Sequence, residues 1–242
     1  AEGTRFLNFN VTGTTCNPSR TGLLTGRHPD SFPLRPNTHG FQGRVTVMEL
    51  LKRAGYRTGH VGKWHLGPDK TPGTYGIDEI TVRGGGRRDP RGRDERIYED
   101  AIAFIERHQH VPFYLNVMGR VAHAPVNPRA ELVKQAGFAD LTVDRARFAG
   151  QQIQDQLDRV EAAGGDIDAS MANYLTEFFY LDQFIGELLD KLDALGLRDN
   201  TVVMFSSDQG PAPVQHDQSR PWMLNLVGYS GGLRGQKHEE YE

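Results

Sequence analysis

Residues 46–65 have the sequence TVMELLKRAGYRTGHVGKWH, and this stretch decides the fold. Thr46 and Glu49 form a capping-box pattern, which predicts a helix that begins after Thr46 and ends before Gly55. Residues 57–61 follow as a predicted short strand. A helix followed within a few residues by a strand is the repeating unit of an α/β fold.

The same alternation continues towards both ends of the chain. Residues 6–11 alternate between apolar and polar types, and residues 113–117 are rich in apolar and aromatic types, so both segments are predicted strands. Residues 201–205 are predicted to form a strand without alternation, as expected for a strand buried on both faces. The predicted helices are a short one with Pro18 in its first turn and Gly26 after its end, one at 97–108 and one at 171–195.

These elements predict one α/β domain over residues 1–242, with a mostly parallel central sheet sandwiched by helices. Residues 130–168 show little strand pattern and are predicted to be a helical insertion in that domain. In open sheets of this kind, functional sites form in the loops at the carboxyl ends of the strands. The polar side chains of those loops are therefore the candidates for function.

The composition excludes several classes of protein. The 28 Lys and Arg residues against 31 Asp and Glu residues give a net charge of −3, which argues against a general nucleic-acid binder. No uncharged apolar stretch approaches the ~18–20 residues of a membrane span. The single cysteine, Cys16, excludes an internal disulfide framework and a multi-cysteine zinc site within these residues.

Cys16 is predicted to lie at the N-terminal end of the short helix that contains Pro18. The helix dipole and the free N–H groups at such an end favour a bound anion. Arg20, one helical turn further on, can face the same side as Cys16. Considered alone, a single cysteine is more often an inert buried thiol than a nucleophile. The residues around Cys16 favour the second interpretation.

Two signatures carry a family resemblance. Residues 16–26, CNPSRTGLLTG, contain Cys-x-Pro-Ser-Arg and resemble the first signature of the formylglycine-dependent (type I) sulfatases, a branch of the alkaline phosphatase superfamily. Residues 55–65, GYRTGHVGKWH, resemble the second signature. Three later segments also resemble the family: 123–125, 206–210 and 233–237. The chain is thus similar to most of the N-terminal catalytic domain of an arylsulfatase-like enzyme.

The resemblance implies that Cys16 is oxidised to formylglycine by a separate maturation enzyme, which recognises Cys-x-Pro-x-Arg. One hydroxyl of the hydrated aldehyde then attacks sulfur, and the other later expels sulfate by restoring the aldehyde. By the same resemblance, Arg20 holds the hydroxyl oxygens and His65 assists the attacking hydroxyl.

The resemblance also implies a divalent cation, calcium in this family, bound by Asp208, Gln209 and the oxygens formed at Cys16. Gln209 stands where Asn is more usual, which keeps the ligand oxygen but lengthens its arm. Three further groups are expected to neutralise the sulfate oxygens and the charge on the leaving oxygen. They are Lys63, His123 and Lys237, of which His123 or Lys237 is expected to protonate the leaving oxygen.

The expected activity is hydrolysis of sulfate esters, with a sulfated carbohydrate as substrate and aryl sulfates as surrogates. Two alternatives remain at this point: a phosphonate or phosphodiester hydrolase of the same superfamily, and an inactive anion-binding relative. The family's first strand, with its pair of metal-binding Asp residues, and its smaller C-terminal domain are expected to lie outside residues 1–242. The chain alone is therefore expected to be weakly active or inactive, and the family resemblance implies export to the periplasm or the exterior.

Overall fold

The computed structural model describes residues 3–7, 9–84, 89–148, 150–212, 227–228, 230 and 237–238. The strands of this part are β1 (Arg57–Gly62), β2 (Glu79–Val82) and β3 (Phe113–Met118). Its α-helices are α1 (Cys16–Thr25), α2 (Pro36–His39), α3 (Val47–Arg53), α4 (Glu95–His108), α5 (Ala130–Gln135), α6 (Gln151–Ala162) and α7 (Ile167–Ala194). Short 3-10 turns occur at Pro29–Ser31, Thr74–Gly76, Arg145–Arg147 and Arg198–Asn200.

The three strands form one parallel sheet in the order β2-β1-β3. Gly59 of β1 lies opposite Glu79 of β2 and opposite Leu115 of β3. Parallel strands need a crossover connection, and α4 lies in the one that joins β2 to β3. The carboxyl ends of all three strands consequently meet at one edge of the sheet, where the site described below lies.

Helices cover both faces of this sheet. Gly59 and Val61 point towards α4, and a Cβ on Gly59 would lie 2.5 Å from Cε2 of Phe104, so only glycine allows this approach. His60 points to the other face, where its ring lies 5.0 Å from that of Trp64 in the core that also contains parts of α1 and α3. The predicted α/β class, with a mostly parallel sheet between helices, is confirmed.

The local signals in the sequence are confirmed where they depend on neighbouring residues. Thr46 Oγ1 accepts a hydrogen bond from Glu49 N at 3.1 Å, and Glu49 Oε2 accepts one from Thr46 N at 2.8 Å, which completes the capping box. Gly26 ends α1 in the left-handed conformation at φ 62°. Cys16 is the first residue of α1, as its position ahead of Pro18 predicts.

Two predicted strands, at 6–11 and 201–205, are absent from the described residues. Leu7, Val202 and Met204 are instead 77%, 88% and 80% exposed. A strand is stable only where a neighbouring strand completes its backbone hydrogen bonds, and apolar side chains do not supply that neighbour. The prediction of these two strands was wrong for that reason. The sequence analysis also missed β2, whose four residues alternate between polar and apolar types but are too few to stand out as a strand.

Residues 130–168 contain α5, a 3-10 turn and α6, so the predicted helical character is confirmed. That they are an insertion in a domain spanning 1–242 stays a prediction. Among the described residues, no helix combines the length and the apolar character needed to cross a membrane.

Candidate active site

The thiol of Cys16 lies at the centre of a cluster of polar side chains. Cys16 is 4% exposed at the start of α1. Lys63 follows β1 and donates a hydrogen bond from Nζ to Sγ at 3.0 Å. Gln209, from the far end of the chain, donates one from Nε2 to the same sulfur at 3.2 Å. Residues separated by up to 193 positions therefore converge on one atom.

The surroundings of Cys16 favour the negatively charged form of its thiol. Burial raises the pKa of the thiol, and the charge of Asp208 raises it further. Hydrogen bonds from His65, Lys63 and Gln209 outweigh these effects and lower the pKa from 9.0 to about 6. A buried cysteine in an apolar core has a raised pKa and is inert, so Cys16 does not resemble an ordinary core thiol.

Arg20 connects three elements of the site. Its Nε and NH2 atoms donate to Asp208 Oδ2 at 3.2 and 3.1 Å, which makes a two-pronged ion pair. Its NH1 atom donates to the backbone carbonyl of Lys63 at 3.0 Å. Arg20 is 5% exposed, so the charge of Asp208 compensates a guanidinium that is removed from water. The prediction that Arg20 faces the same side of α1 as Cys16 agrees with these contacts.

Asp208 and Gln209 offer oxygen atoms of the kind that a hard cation binds. Gln209 Oε1 is buried and has no hydrogen-bond partner among the described residues, which is costly unless another group satisfies it. The carboxylate of Asp208 precedes it directly. No cluster of three or more His, Cys, Asp or Glu side chains suitable for a metal occurs among the described residues. The two side chains therefore fit a divalent cation as a part of its oxygen ligands.

His123 and Lys237 form the other side of the site. His123 lies in the loop after β3, and its Nε2 atom is 3.4 Å from Nζ of Lys237. The Nδ1 atom is 2.7 Å from the carbonyl oxygen of Ala124. Because a carbonyl only accepts hydrogen bonds, Nδ1 carries the proton and Nε2 presents its lone pair to Lys237.

His123 is neutral around pH 7. Partial desolvation of the ring lowers its pKa, the hydrogen bond to the Ala124 carbonyl opposes this, and the charges of Lys63, Lys237 and Arg93 lower the pKa further. The lowered pKa favours the neutral ring, whose Nε2 atom accepts a hydrogen bond, so Lys237 is the hydrogen-bond donor of this pair. The effect of Lys63 on His123 also shows that the Cys16 cluster and the His123–Lys237 pair lie within electrostatic range of each other.

The structure brings all the candidate residues of the sequence analysis to one region. They are Cys16, Arg20, Lys63, His65, His123, Asp208, Gln209 and Lys237. The other residues of the predicted segment 233–237 lie outside the described residues. The roles assigned to these side chains stay predictions.

Two supporting residues were not predicted. Asn17 is buried, and its Nδ2 atom donates to the backbone carbonyls of His65 and Leu66 at 3.0 and 3.1 Å, which fixes the segment after β1. His60 is fully buried, and its Nε2 atom donates to the carbonyl of Lys63 at 3.2 Å. Burial, and then the charge of Arg20, lower the pKa of His60 to about 4, so its ring is neutral. An inward-facing polar residue in a buried strand was the available signal for His60.

The comparisons with known proteins agree with this arrangement. The sequence model of the sulfatase family matches residues 1–242 of this chain. The chain belongs to the sulfatase family. The resemblance inferred from the two signatures is thereby confirmed.

Two curated sulfatases illustrate the relationship. The N-acetylgalactosamine-6-O-sulfatase of Bacteroides thetaiotaomicron is 27% identical over 303 residues, covering 100% of this chain and 58% of the relative. Arylsulfatase G of Canis lupus familiaris is 28% identical over 253 residues, covering 87% of this chain and 44% of the relative. The chain therefore spans about half the length of the curated sulfatases that it matches.

A solved structure shares the fold. The structure of a protein in complex with its substrate D-glucosamine-2-N,6-O-disulfate superposes with a TM-score of 0.62 at 19% identity. The superposition covers 93% of this chain and 60% of that protein. A second structure, from work on glycosaminoglycan metabolism by Bacteroides thetaiotaomicron, gives a TM-score of 0.59 at 24% identity over 94% of this chain and 60% of that one.

Proposed function

We propose that the protein containing this chain hydrolyses sulfate esters with a nucleophile formed from Cys16. The observation that carries the proposal is the position of Cys16 Sγ, which accepts hydrogen bonds from Lys63 and Gln209 at 3.0 and 3.2 Å at a helix N-terminus. Hydrogen-bond donors that converge on one atom stabilise negative charge there, which both an anionic oxygen nucleophile and a bound sulfate ester require. Membership of the sulfatase family supports the same reaction.

The two groups that the family implies add specific chemistry: formylglycine at position 16 supplies a hydroxyl nucleophile, and a divalent cation such as calcium supplies positive charge beside it. Asp208 and Gln209 would hold the cation through their side-chain oxygens. Arg20 keeps the Asp208 carboxylate in place through its two-pronged contact. Lys63 would bind an oxygen at the position that Sγ now occupies.

The other side of the site would supply a proton to the leaving group. Lys237 carries the positive charge, and the neutral Nε2 atom of His123 lies 3.4 Å from its Nζ atom. We assign proton donation to Lys237, with His123 accepting one of its hydrogen bonds and orienting the ammonium group. His65 would accept the proton of the attacking hydroxyl, since its side chain contacts position 16.

The proposed substrates are sulfated carbohydrates, with aryl sulfates as surrogates. One relative is named an N-acetylgalactosamine-6-O-sulfatase, and one solved structure of the same fold holds D-glucosamine-2-N,6-O-disulfate. A sulfated amino sugar is therefore the first substrate to test.

The test uses the intact gene product, because the chain spans about half of its relatives' length. It is co-expressed with a formylglycine-generating enzyme, since Cys16 is 4% exposed and hard to reach once folded. Mass spectrometry of the Cys16 peptide measures conversion from thiol to aldehyde. Initial rates are then compared on 4-nitrophenyl sulfate, N-acetylgalactosamine-6-sulfate, bis(4-nitrophenyl) phosphate and phenyl phosphonate esters, with Cys16→Ala as the control.

The two alternatives predict other results. Sulfate release that requires Cys16 and exceeds phosphate-ester turnover supports the proposal. A higher rate on the phosphate or phosphonate esters indicates the phosphodiester or phosphonate hydrolase instead. A Cys16 peptide that stays a thiol under conditions in which a known sulfatase is converted indicates an inactive anion-binding relative.

A further inference from the structure

The loop after β3 presents His123, and Asp94 holds the first part of this loop. Asp94 is fully buried just before α4. Its Oδ2 atom accepts hydrogen bonds from the backbone N–H groups of Arg120 at 2.8 Å and Val121 at 3.1 Å. The contact is so close that a Cβ on Gly119 would lie 2.6 Å from the same oxygen.

Arg93 holds the second part of the loop. Its NH1 atom donates to the backbone carbonyl of His123, and its NH2 atom donates to that of Pro125. The same NH2 atom lies 2.8 Å from Oε1 of Glu177 in α7, and the two side chains are 7% and 5% exposed. The planar guanidinium thus joins two loop carbonyls to a buried carboxylate with fixed geometry.

A second ion pair joins the same two parts of the chain without holding the loop. Arg91 pairs with Glu95 of α4 at 2.9 Å and with Glu187 of α7, and its guanidinium lies over the Phe184 ring. The Arg91 side chain is 38% exposed and the Arg93 side chain 7%, so removing Arg91 from water costs less free energy. The attachment of α7 to the start of α4 therefore does not by itself require a buried Arg93–Glu177 pair.

We propose that Arg93 and Asp94 are positioning residues for the reaction, and that Glu177 acts through Arg93. They fix the loop backbone so that the Ala124 carbonyl accepts the Nδ1 proton of His123 and Nε2 points to Lys237. Without the loop contacts, the His123 ring changes its tautomer and its distance from the Lys237 ammonium group. This inference rests on the proposed sulfatase function, but its first readout does not.

The decisive variant is the double substitution Arg93→Met with Glu177→Leu. It removes both charges of the buried ion pair together, so neither is left without the other, while the carbonyls of His123 and Pro125 lose the Arg93 donor. The single substitution Glu187→Gln is the matched control, because it weakens the other ion pair between the same two parts of the chain. Thermal unfolding is recorded for each protein to confirm that it folds.

The first readout is the nuclear magnetic resonance of isotopically labelled histidine rings, which reports the tautomer and titration of each ring. His123→Gln assigns the His123 signal. We expect the wild type and Glu187→Gln to show the Nδ1–H tautomer at neutral pH. We expect the double variant to lose this tautomer. Its His123 titration midpoint changes in any case, because the charge of Arg93 itself lowers the pKa of His123, so the tautomer is the deciding signal.

The second readout is the hydrolysis of a sulfate ester by the converted intact protein. We expect kcat to fall on the order of 100-fold in the double variant, the effect of a misplacement of about 1 Å at a reacting group, with KM nearly unchanged. Arg93→Lys keeps the charge opposite Glu177 but lacks the two guanidinium N–H groups that donate to the carbonyls of His123 and Pro125. Its kcat is therefore expected to fall as well. It also provides the same test if the double variant does not fold.

The two hypotheses fail in different ways. Wild-type tautomer and wild-type kcat in the folded double variant would overturn the positioning role while leaving the sulfatase function intact. An equal loss in Glu187→Gln would also overturn it, because helix attachment would then be the cause. A wild-type protein without sulfatase activity would overturn the proposed function, and the histidine spectra would still test the positioning of His123.

Discussion

Replacing Lys63 by Met tests whether the pocket around Cys16 stabilises a negative charge. The decrease in the Cys16 pKa from 9.0 to about 6 corresponds to about 4 kcal/mol in favour of the thiolate, at about 1.36 kcal/mol for each pH unit. Lys63 Nζ lies 3.0 Å from Sγ and is the positively charged donor among those that lower the pKa. Because a nearby cation favours the thiolate, loss of the Lys63 ammonium group is expected to raise the titration midpoint of the Cys16 thiol by about one pH unit or more.

The assay is a pH titration of the thiolate absorbance in unconverted protein with a chelator present. A difference spectrum against Cys16→Ser isolates the one cysteine of these 242 residues. Lys70→Met is the matched control, because it makes the same change at an exposed lysine in the following loop. Equal midpoints for Lys63→Met and the wild type would refute the reasoning, as would a wild-type midpoint near the ordinary value of 9.0.

Three further predictions concern the fold and the cation. Partial burial raises the pKa of Glu79, but hydrogen bonds from two arginines and a histidine bring it from 4.5 to about 2. Glu79→Gln should therefore lower the free energy of unfolding by about 1–2 kcal/mol at pH 7 after solvent screening, and this difference from wild type in urea unfolding should vanish as the pH falls through 2. Gly59→Ala should destabilise the protein by about 1–3 kcal/mol because a Cβ would meet Phe104 of α4 at 2.5 Å, whereas Gly186→Ala, with no atom of the described residues within 4 Å, should not. Equal unfolding midpoints for the two variants would contradict the close approach of α4. Calcium should raise the Tm of the intact protein, and Asp208→Asn should reduce that increase while Asp199→Asn leaves it unchanged; an unchanged increase in Asp208→Asn would show that the cation binds elsewhere.

The sequence predicted those parts of the fold that depend on neighbouring residues. Thr46 and Glu49 form their capping box within four residues, and Gly26 ends α1 through its own backbone conformation. The exposed segment at 201–205 shows the limit of this reasoning. Its apolar side chains indicate a buried strand, but a strand also needs a hydrogen-bonded neighbour, which a local pattern does not contain.

The candidate site was predictable where motifs carry it and hidden where only the fold creates it. Cys16 and Lys63 belong to two long signatures, so the sequence alone is enough to expect their contact. Arg93 and Glu177 are 84 positions apart and belong to no signature, and their ion pair exists because α4 and α7 lie side by side. Contacts of that kind follow from tertiary packing, which single-sequence patterns do not encode.

The most direct measurement relates turnover to the chemical state of position 16. Intact protein is prepared with different fractions of Cys16 converted to formylglycine, by varying the amount of the co-expressed maturation enzyme, and each fraction is quantified by mass spectrometry. We expect sulfate release per molecule to rise in proportion to the converted fraction and to reach zero for unconverted protein. Turnover that is independent of conversion, or full conversion without sulfate release, would contradict the claim that Cys16 is the precursor of a sulfatase nucleophile.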